Sequence, residues 1–241
     1  MDENIAYALI HSPLVGPFTW QLVYQGMRER RLQVNVATLL DDPDSNLPYW
    51  QQHAESAAAS LAQIPKSQKL VLVAHSGAGP LLPVIRQALT HSIGAYVFVD
   101  AGIPRNSLSR LDLMKLKDGQ WAKQRHQALM QGERFPMWNE DDLREIIPDG
   151  ETRQKLIAEI RPRSLPYFTE SIPVFYGWPD APCAYIKFTA SYDWDAIQAR
   201  QAGWSVHEMN AGHFHMLVEP LTVADLIINT VRKLLDSPNS R

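Results

Sequence analysis

Short, nearly unbroken apolar runs alternate along this chain with longer amphipathic stretches, and no other feature restricts its fold as much. The runs "IAYALI" (5–10), "LQVNVAT" (32–38), "KLVLVAH" (69–75), "AYVFVDAG" (95–102), "CAYIKFTA" (183–190) and "WSVHEM" (204–209) read as about six strands. Between and after them, helical spacing runs through 17–31, 49–64, 79–91, 195–203 and 222–235. Strands without alternation are buried on both faces. Repeated strand–helix units of this kind predict an α/β fold: a mostly parallel sheet flanked by helices. The pattern breaks between Gly102 and about Pro182, where short helical segments such as "GQWAKQRHQALMQ" and "EDDLREII" replace strands. The chain therefore divides into a core (1–101), a helical insertion (102–182) and a second part of the core (183–241). An insertion after the fourth strand lies near the carboxyl edge of the sheet, where open α/β sheets bind ligands. It is a candidate lid.

The 241 residues suit one domain with such an insertion. A net charge of −3 argues against nucleic acid as a partner and gives no reason to invoke an anionic membrane. The lone cysteine, Cys183, rules out an intrachain disulfide and favours the cytoplasm. "MDENIAYALI" is acidic and its apolar run is short for a signal peptide. The tail "DSPNSR" reads as frayed. The expected partner is a small-molecule substrate, with a homodimer left open.

The third strand ends in "AHSGAG", followed by an apolar helix containing Pro80 and Pro83. Ser76 thus stands at a strand-to-helix turn. Such a turn brings its two limbs close together, so the residues two before and two after its apex must be small. Ala74 and Ala78 meet that need, giving a small-x-Ser-x-small nucleophile elbow. With a helix starting at Gly77, Pro80 falls in the first turn, while Pro83 loses a bond to the Gly79 carbonyl and bends the helix there. The helix start places unpaired N–H groups beside Ser76.

A serine hydroxyl needs a base to attack at neutral pH. "NAGHFHMLVEP" supplies His213 and His215, between the last strand and the last helix. His75 reads as a packed or locally hydrogen-bonded residue. His11, His53, His91, His126 and His207 lack metal-ligand spacing, and no G-x-G-x-x-G follows a strand, so neither a metal nor an organic cofactor is expected.

Taken together, these segments resemble the α/β-hydrolase superfamily over nearly the whole chain. "GHFHMLVEP" is similar to the D-H-x-x-M-L-x-x-P segment of plant methylesterases and hydroxynitrile lyases. That resemblance implies His213 as the base, with His215 on the pocket wall. It offers two positions for the acid that orients the imidazole. One is Asp193, after the penultimate strand, with Asp195 less favoured. The other is Asp100, at the end of "YVFVD". Asp193 also reads as a helix-capping acid, whereas Asp100 closes an apolar run beside Ser76, and Asp100 is preferred. The family's oxyanion donors map to the N–H groups of Gly77 and of the loop "HSPLVGP". Pro13 stands where a donor is usual and has no N–H, which moves the donor to Leu14.

The resemblance implies a serine hydrolase cleaving an ester, thioester or lactone through an acyl-Ser76 intermediate. Trp121, Phe135, Trp138, Phe168 and Trp178 in the insertion would favour an apolar or aromatic acyl group, with Trp121 and Trp138 the leading pocket candidates. A cofactor-free lyase or cyclase using the same residues, and a non-catalytic small-molecule receptor, are the alternatives.

Overall fold

A computed structural model describes residues 4–42 and 44–236; the tail from residue 237 on, expected to fray, lies outside them. In chain order the first half runs β1 (Ile5–Ile10), α1 (Phe18–Glu29), β2 (Gln33–Ala37), α2 (Tyr49–Leu61), β3 (Lys69–Ser76), α3 (Leu82–Ala88) and β4 (Ile93–Ala101). Next come β5 (Leu108–Ser109), α4 (Arg110–Lys117), α5 (Gly119–Met130), α6 (Glu140–Leu143), α7 (Gly150–Ala158), α8 (Leu165–Thr169) and β6 (Ser171–Ile172). The chain closes with β7 (Cys183–Lys187), α9 (Asp193–Gln201), β8 (Ser205–Glu208), α10 (His215–Val218) and α11 (Pro220–Asp236).

Six strands form one sheet in the order β2-β1-β3-β4-β7-β8, every pair parallel. Successive side chains of a strand point to opposite faces, and here both faces are apolar. Leu70, Leu72 and Ala74 of β3 join Tyr96 and Phe98 of β4 under α2, α3 and α9. Val71 and Val73 join Val97 and Val99 on the other side, under α1 and α11. The amphipathic helices each turn one stripe to the sheet; Val223, Ala224, Ile227 and Val231 form that of α11.

Strand order reverses at β1: the chain crosses to β2 on one side and returns to β3 on the other. The loop after β1 and the turn after β3 therefore face each other across a crevice at the carboxyl edge, the usual ligand site of such a sheet. Residues 102–182 lie between β4 and β7 and carry α4 to α8. Leu111, Ala122, Leu129, Tyr167 and Phe168 form a core of their own there. The segment also contains a two-residue antiparallel ribbon, β5 with β6, that hydrophobic patterning does not reveal because each strand is so short.

The expected continuous, bent helix after Ser76 is not what forms. A 3-10 turn (Gly79–Leu81) precedes α3, which starts at Leu82. Pro80 and Pro83 both lack an N–H, so no regular ladder can pass through them. The chain instead closes tight bonds, Ala78 N–H to the His75 carbonyl and Leu81 N–H to the Ala78 carbonyl, and places Pro83 in the first turn of α3. Gly79 is required for a steric reason: a Cβ there would run into the carbonyl oxygen of Gly102 and press on Ala101. Gly79→Ala is expected to lower the unfolding free energy by about 1–3 kcal/mol, as overpacking does. Urea denaturation checks this; an alanine variant as stable as the native chain would contradict it.

Candidate functional site

Ser76 is the last residue of β3 and holds φ at 55°, a left-handed backbone that a side-chain-bearing residue adopts only under constraint. Ala74 and Ala78 on either side are fully buried, so there is no room for larger residues where the limbs pass. Next door, β4 carries a bulge. His75 pairs with Val99 and Ser76 with Ala101, leaving Asp100 unpaired and at φ 43°. Bulges re-aim a side chain, and this one brings the Asp100 carboxylate to His213. The Tyr185 hydroxyl holds the bulge in place, donating to the Ala101 carbonyl at 2.6 Å and accepting from the Ala101 N–H at 3.2 Å.

His213 lies in the loop between β8 and α10. Its Nδ1 is 2.7 Å from Asp100 Oδ2, and its Nε2 is 3.1 Å from Ser76 Oγ. Asp100 is fully buried and also accepts from the N–H groups of Phe188 (2.9 Å) and Thr189 (3.0 Å) and from the Thr189 hydroxyl (2.8 Å). Burial alone would raise this carboxyl. The hydrogen bond and charge of His213, with the two backbone N–H groups, outweigh burial and hold it below the usual carboxylate range. Asp100 is therefore a carboxylate, an acceptor only, and His213 donates its Nδ1–H to it. That tautomer leaves Nε2 to accept the Ser76 O–H.

The other acids go elsewhere. Asp193 opens α9 with 54% of its side chain exposed and pairs with Lys187. Asp195 is buried, pairs with Lys117 and accepts from the Ile103 N–H at 3.0 Å. Neither is among the partners of His213. His75 donates its Nε2–H to the His213 carbonyl at 3.0 Å, fixing the loop that carries the second histidine. Burial keeps His75 well below the usual imidazole range, hence neutral.

Ser76 opens onto a cavity of about 1100 Å³ lined by Leu14, Gly77, Trp121, Trp138, Phe168 and His213 among others. Trp138 stands edge-on to Phe214, and Trp121 edge-on to Phe135. Two expectations need correction. His215 is not among the lining residues: it begins α10, and its ring turns to Phe188 and Glu219. Trp178 is also absent from the wall, because it packs on Tyr96 with ring centroids 4.4 Å apart. In contrast, Arg110, Lys117 and Tyr192 do line the cavity, and pattern-based reading passes over them because none has a periodic or motif signal. Among the described residues, no three His, Cys, Asp or Glu side chains meet in a way that could hold a metal ion, and no helix is long and apolar enough to cross a membrane.

The loop after β1 touches the elbow: a Cβ on Gly77 would lie 2.9 Å from Ser12 Oγ. Leu14 N–H donates to that same oxygen at 3.3 Å, a long bond. The loop is tied down by Arg161 N–H on the Leu14 carbonyl, by Arg163 on the Pro13 carbonyl and by His11 from beneath. The His11 ring shares its two nitrogens between the Ser12 carbonyl (2.9 Å) and the Leu39 N–H (3.3 Å).

The alpha/beta hydrolase family model matches residues 10–226. The chain belongs to that family. No curated protein matches the sequence. Among solved structures, an extracellular α/β-hydrolase from a Paenibacillus species, described as sharing structural and functional homology with tobacco salicylic acid binding protein 2, superposes with a TM-score of 0.74 at 18% identity, over 94% of this chain and 98% of that one. Tomato methylketone synthase I gives 0.71 at 14% identity over 96% and 99%. Polyneuridine aldehyde esterase gives 0.69 at 16% over 94% and 99%. At such identities the likeness shows the fold, which is shared over 94–96% of this chain.

The hydrolase's loop at His11 sets a pH limit. Burial, the largest influence, lowers the His11 imidazole from 6.5 to about 4, with the charges of Arg161 and His53 acting in the same direction and the Ser12 carbonyl opposing them. The unfolded chain binds that proton near 6.5 and the folded chain only near 4. Stability therefore falls as pH drops through this window, by on the order of 3 kcal/mol from His11. Urea unfolding at pH 7, 5.5 and 4.5 checks it; a flat profile would contradict it.

Proposed function

We propose that this hydrolase cleaves an ester, thioester or lactone of a small apolar or aromatic molecule, with Ser76 as nucleophile. One observation carries the proposal: Ser76 Oγ, the His213 ring and Asp100 form an unbroken line of hydrogen bonds, 3.1 and 2.7 Å, at the wall of a large cavity. In the proposed reaction His213 Nε2 takes the Ser76 proton as Oγ attacks the acyl carbon. Asp100 holds the ring in the required tautomer and stabilises the imidazolium that forms. The same Nε2–H is then given to the departing alcohol, and water repeats the sequence to release the acid.

Gly77 and Leu14 are proposed as donors to the oxyanion. The long Ser12–Leu14 bond leaves the Leu14 N–H readily transferred to a substrate oxygen. One such donor is worth roughly a hundred- to a thousandfold in kcat. The aromatic wall from residues 102–182 supports an apolar or aromatic acyl group, and those residues are proposed to act as a lid that keeps water from the reacting atoms.

A fluorophosphonate probe should label the native protein and leave Ser76→Ala unlabelled, as read by mass spectrometry of the peptide carrying Ser76. No adduct on folded native protein would contradict the proposal. Against a panel of aryl esters, Asp100→Asn is expected to lose about three to four orders of magnitude in kcat. Asp193→Asn should stay within about twofold, since an exposed ion pair contributes little. The reverse order would assign the acid to Asp193 instead.

A further inference from the structure

The line from Asp100 to Ser76 is complete without Tyr192, yet the Tyr192 hydroxyl stands 3.1 Å from Ser76 Oγ. Its direction follows from the partners. Asp100 only accepts, so His213 Nδ1–H donates to it and Nε2 accepts from Ser76. The single Ser76 hydrogen is thereby used, and the Tyr192 O–H must donate to Ser76 Oγ. Burial, the largest influence, pushes this hydroxyl above its ordinary range, so it stays protonated.

The ring is held for this contact. Tyr192 ends a 3-10 turn (Ala190–Tyr192) just before α9. It lies parallel to the His213 ring, 8° between planes and 5.4 Å between centroids. Lys117 from α4 places its ammonium 4.4 Å from the Tyr192 centroid and is itself anchored by the buried Asp195. Both the nucleophile and its base thus touch one tyrosine.

We propose that Tyr192 is a further catalytic residue, whose O–H hydrogen-bonds Ser76 Oγ as that oxygen leaves the acyl-enzyme. The inference rests on Ser76 being the nucleophile. In deacylation, water attacks the acyl carbon and His213 takes its proton. The C–Oγ bond then breaks, its electron pair stays on Oγ, and Oγ receives the proton from His213 Nε2. Tyr192 keeps its own proton throughout. In the acyl-enzyme, Oγ is an ester oxygen and a poor acceptor; as the bond breaks, it carries negative charge. The hydrogen bond is stronger in the transition state than before it, the condition for acceleration. In acylation the starting hydroxyl oxygen already accepts this bond, so the gain there is small.

Tyr192→Phe retains the ring and removes only the hydroxyl. After mixing with p-nitrophenyl acetate, loss of the acetyl group from Ser76, followed by intact-protein mass spectrometry, should slow about ten- to a hundredfold, the effect of one hydrogen bond to a charged oxygen. The initial burst of p-nitrophenol should change by less than about threefold. Unchanged deacylation, or a loss confined to the burst rate, would overturn the inference. So would a Phe variant that behaves as native while Tyr192→Leu is impaired, because that pattern assigns Tyr192 to stacking on His213. Fluorophosphonate labelling separates two failures. A labelled native enzyme with unaltered Tyr192→Phe kinetics overturns only the role of Tyr192; an unlabelled one removes its foundation at Ser76.

Discussion

Two neighbouring strands end in strained backbone, and the site depends on that pairing. Ser76 and Asp100 both hold positive φ, at the tips of β3 and β4, where the register slips by one residue. Each such residue costs roughly 1–3 kcal/mol. The surroundings offset the strain with specific contacts: the Tyr185 hydroxyl on both backbone groups of Ala101, and the Gly102 N–H on the Ser76 carbonyl at 3.1 Å. Without the bulge, Asp100 would continue the alternation of β4 and point into an apolar layer. With it, the carboxylate turns to the edge of the sheet.

Electrostatics follow from that placement. A buried carboxylate is costly unless fully hydrogen-bonded, and Asp100 receives four donors, one of them His213. Around it the buried imidazoles of His11 and His75 stay neutral through burial, each used as a hydrogen-bonding strut rather than a charge. Among Ser76, Asp100 and the three imidazoles, the fixed charge is thus that of one carboxylate, while Arg110 and Lys117 bring positive charge to the cavity wall.

Much of this was legible in the sequence, for physical reasons. Double-sided burial writes itself as unbroken apolar runs, so the six strands and their parallel arrangement could be read directly. The small residues at 74 and 78 marked the turn at Ser76. Element order carried His213 to the same edge, although it lies 137 residues away. The choice between Asp100 and Asp193 was harder to read, because a β-bulge leaves no hydrophobic signature and only the register shows it. Proline positions predicted a disturbed helix but not its replacement by a 3-10 turn. Tyr192 was invisible: a three-residue turn has no period, and its partners Ser76 and His213 are remote in the chain. His215 and Trp178 misled because a residue type in the right segment does not fix which way its ring turns.

The hydrogen bond between Asp100 and His213 is the contact on which the proposed chemistry stands, and proton NMR observes it directly. The His213 Nδ1–H bound to a carboxylate should give a far-downfield imidazole resonance in the native protein. It should persist in Asp193→Asn and vanish or move strongly upfield in Asp100→Asn. A downfield signal that survives loss of the Asp100 charge, or disappears with that of Asp193, would contradict the account.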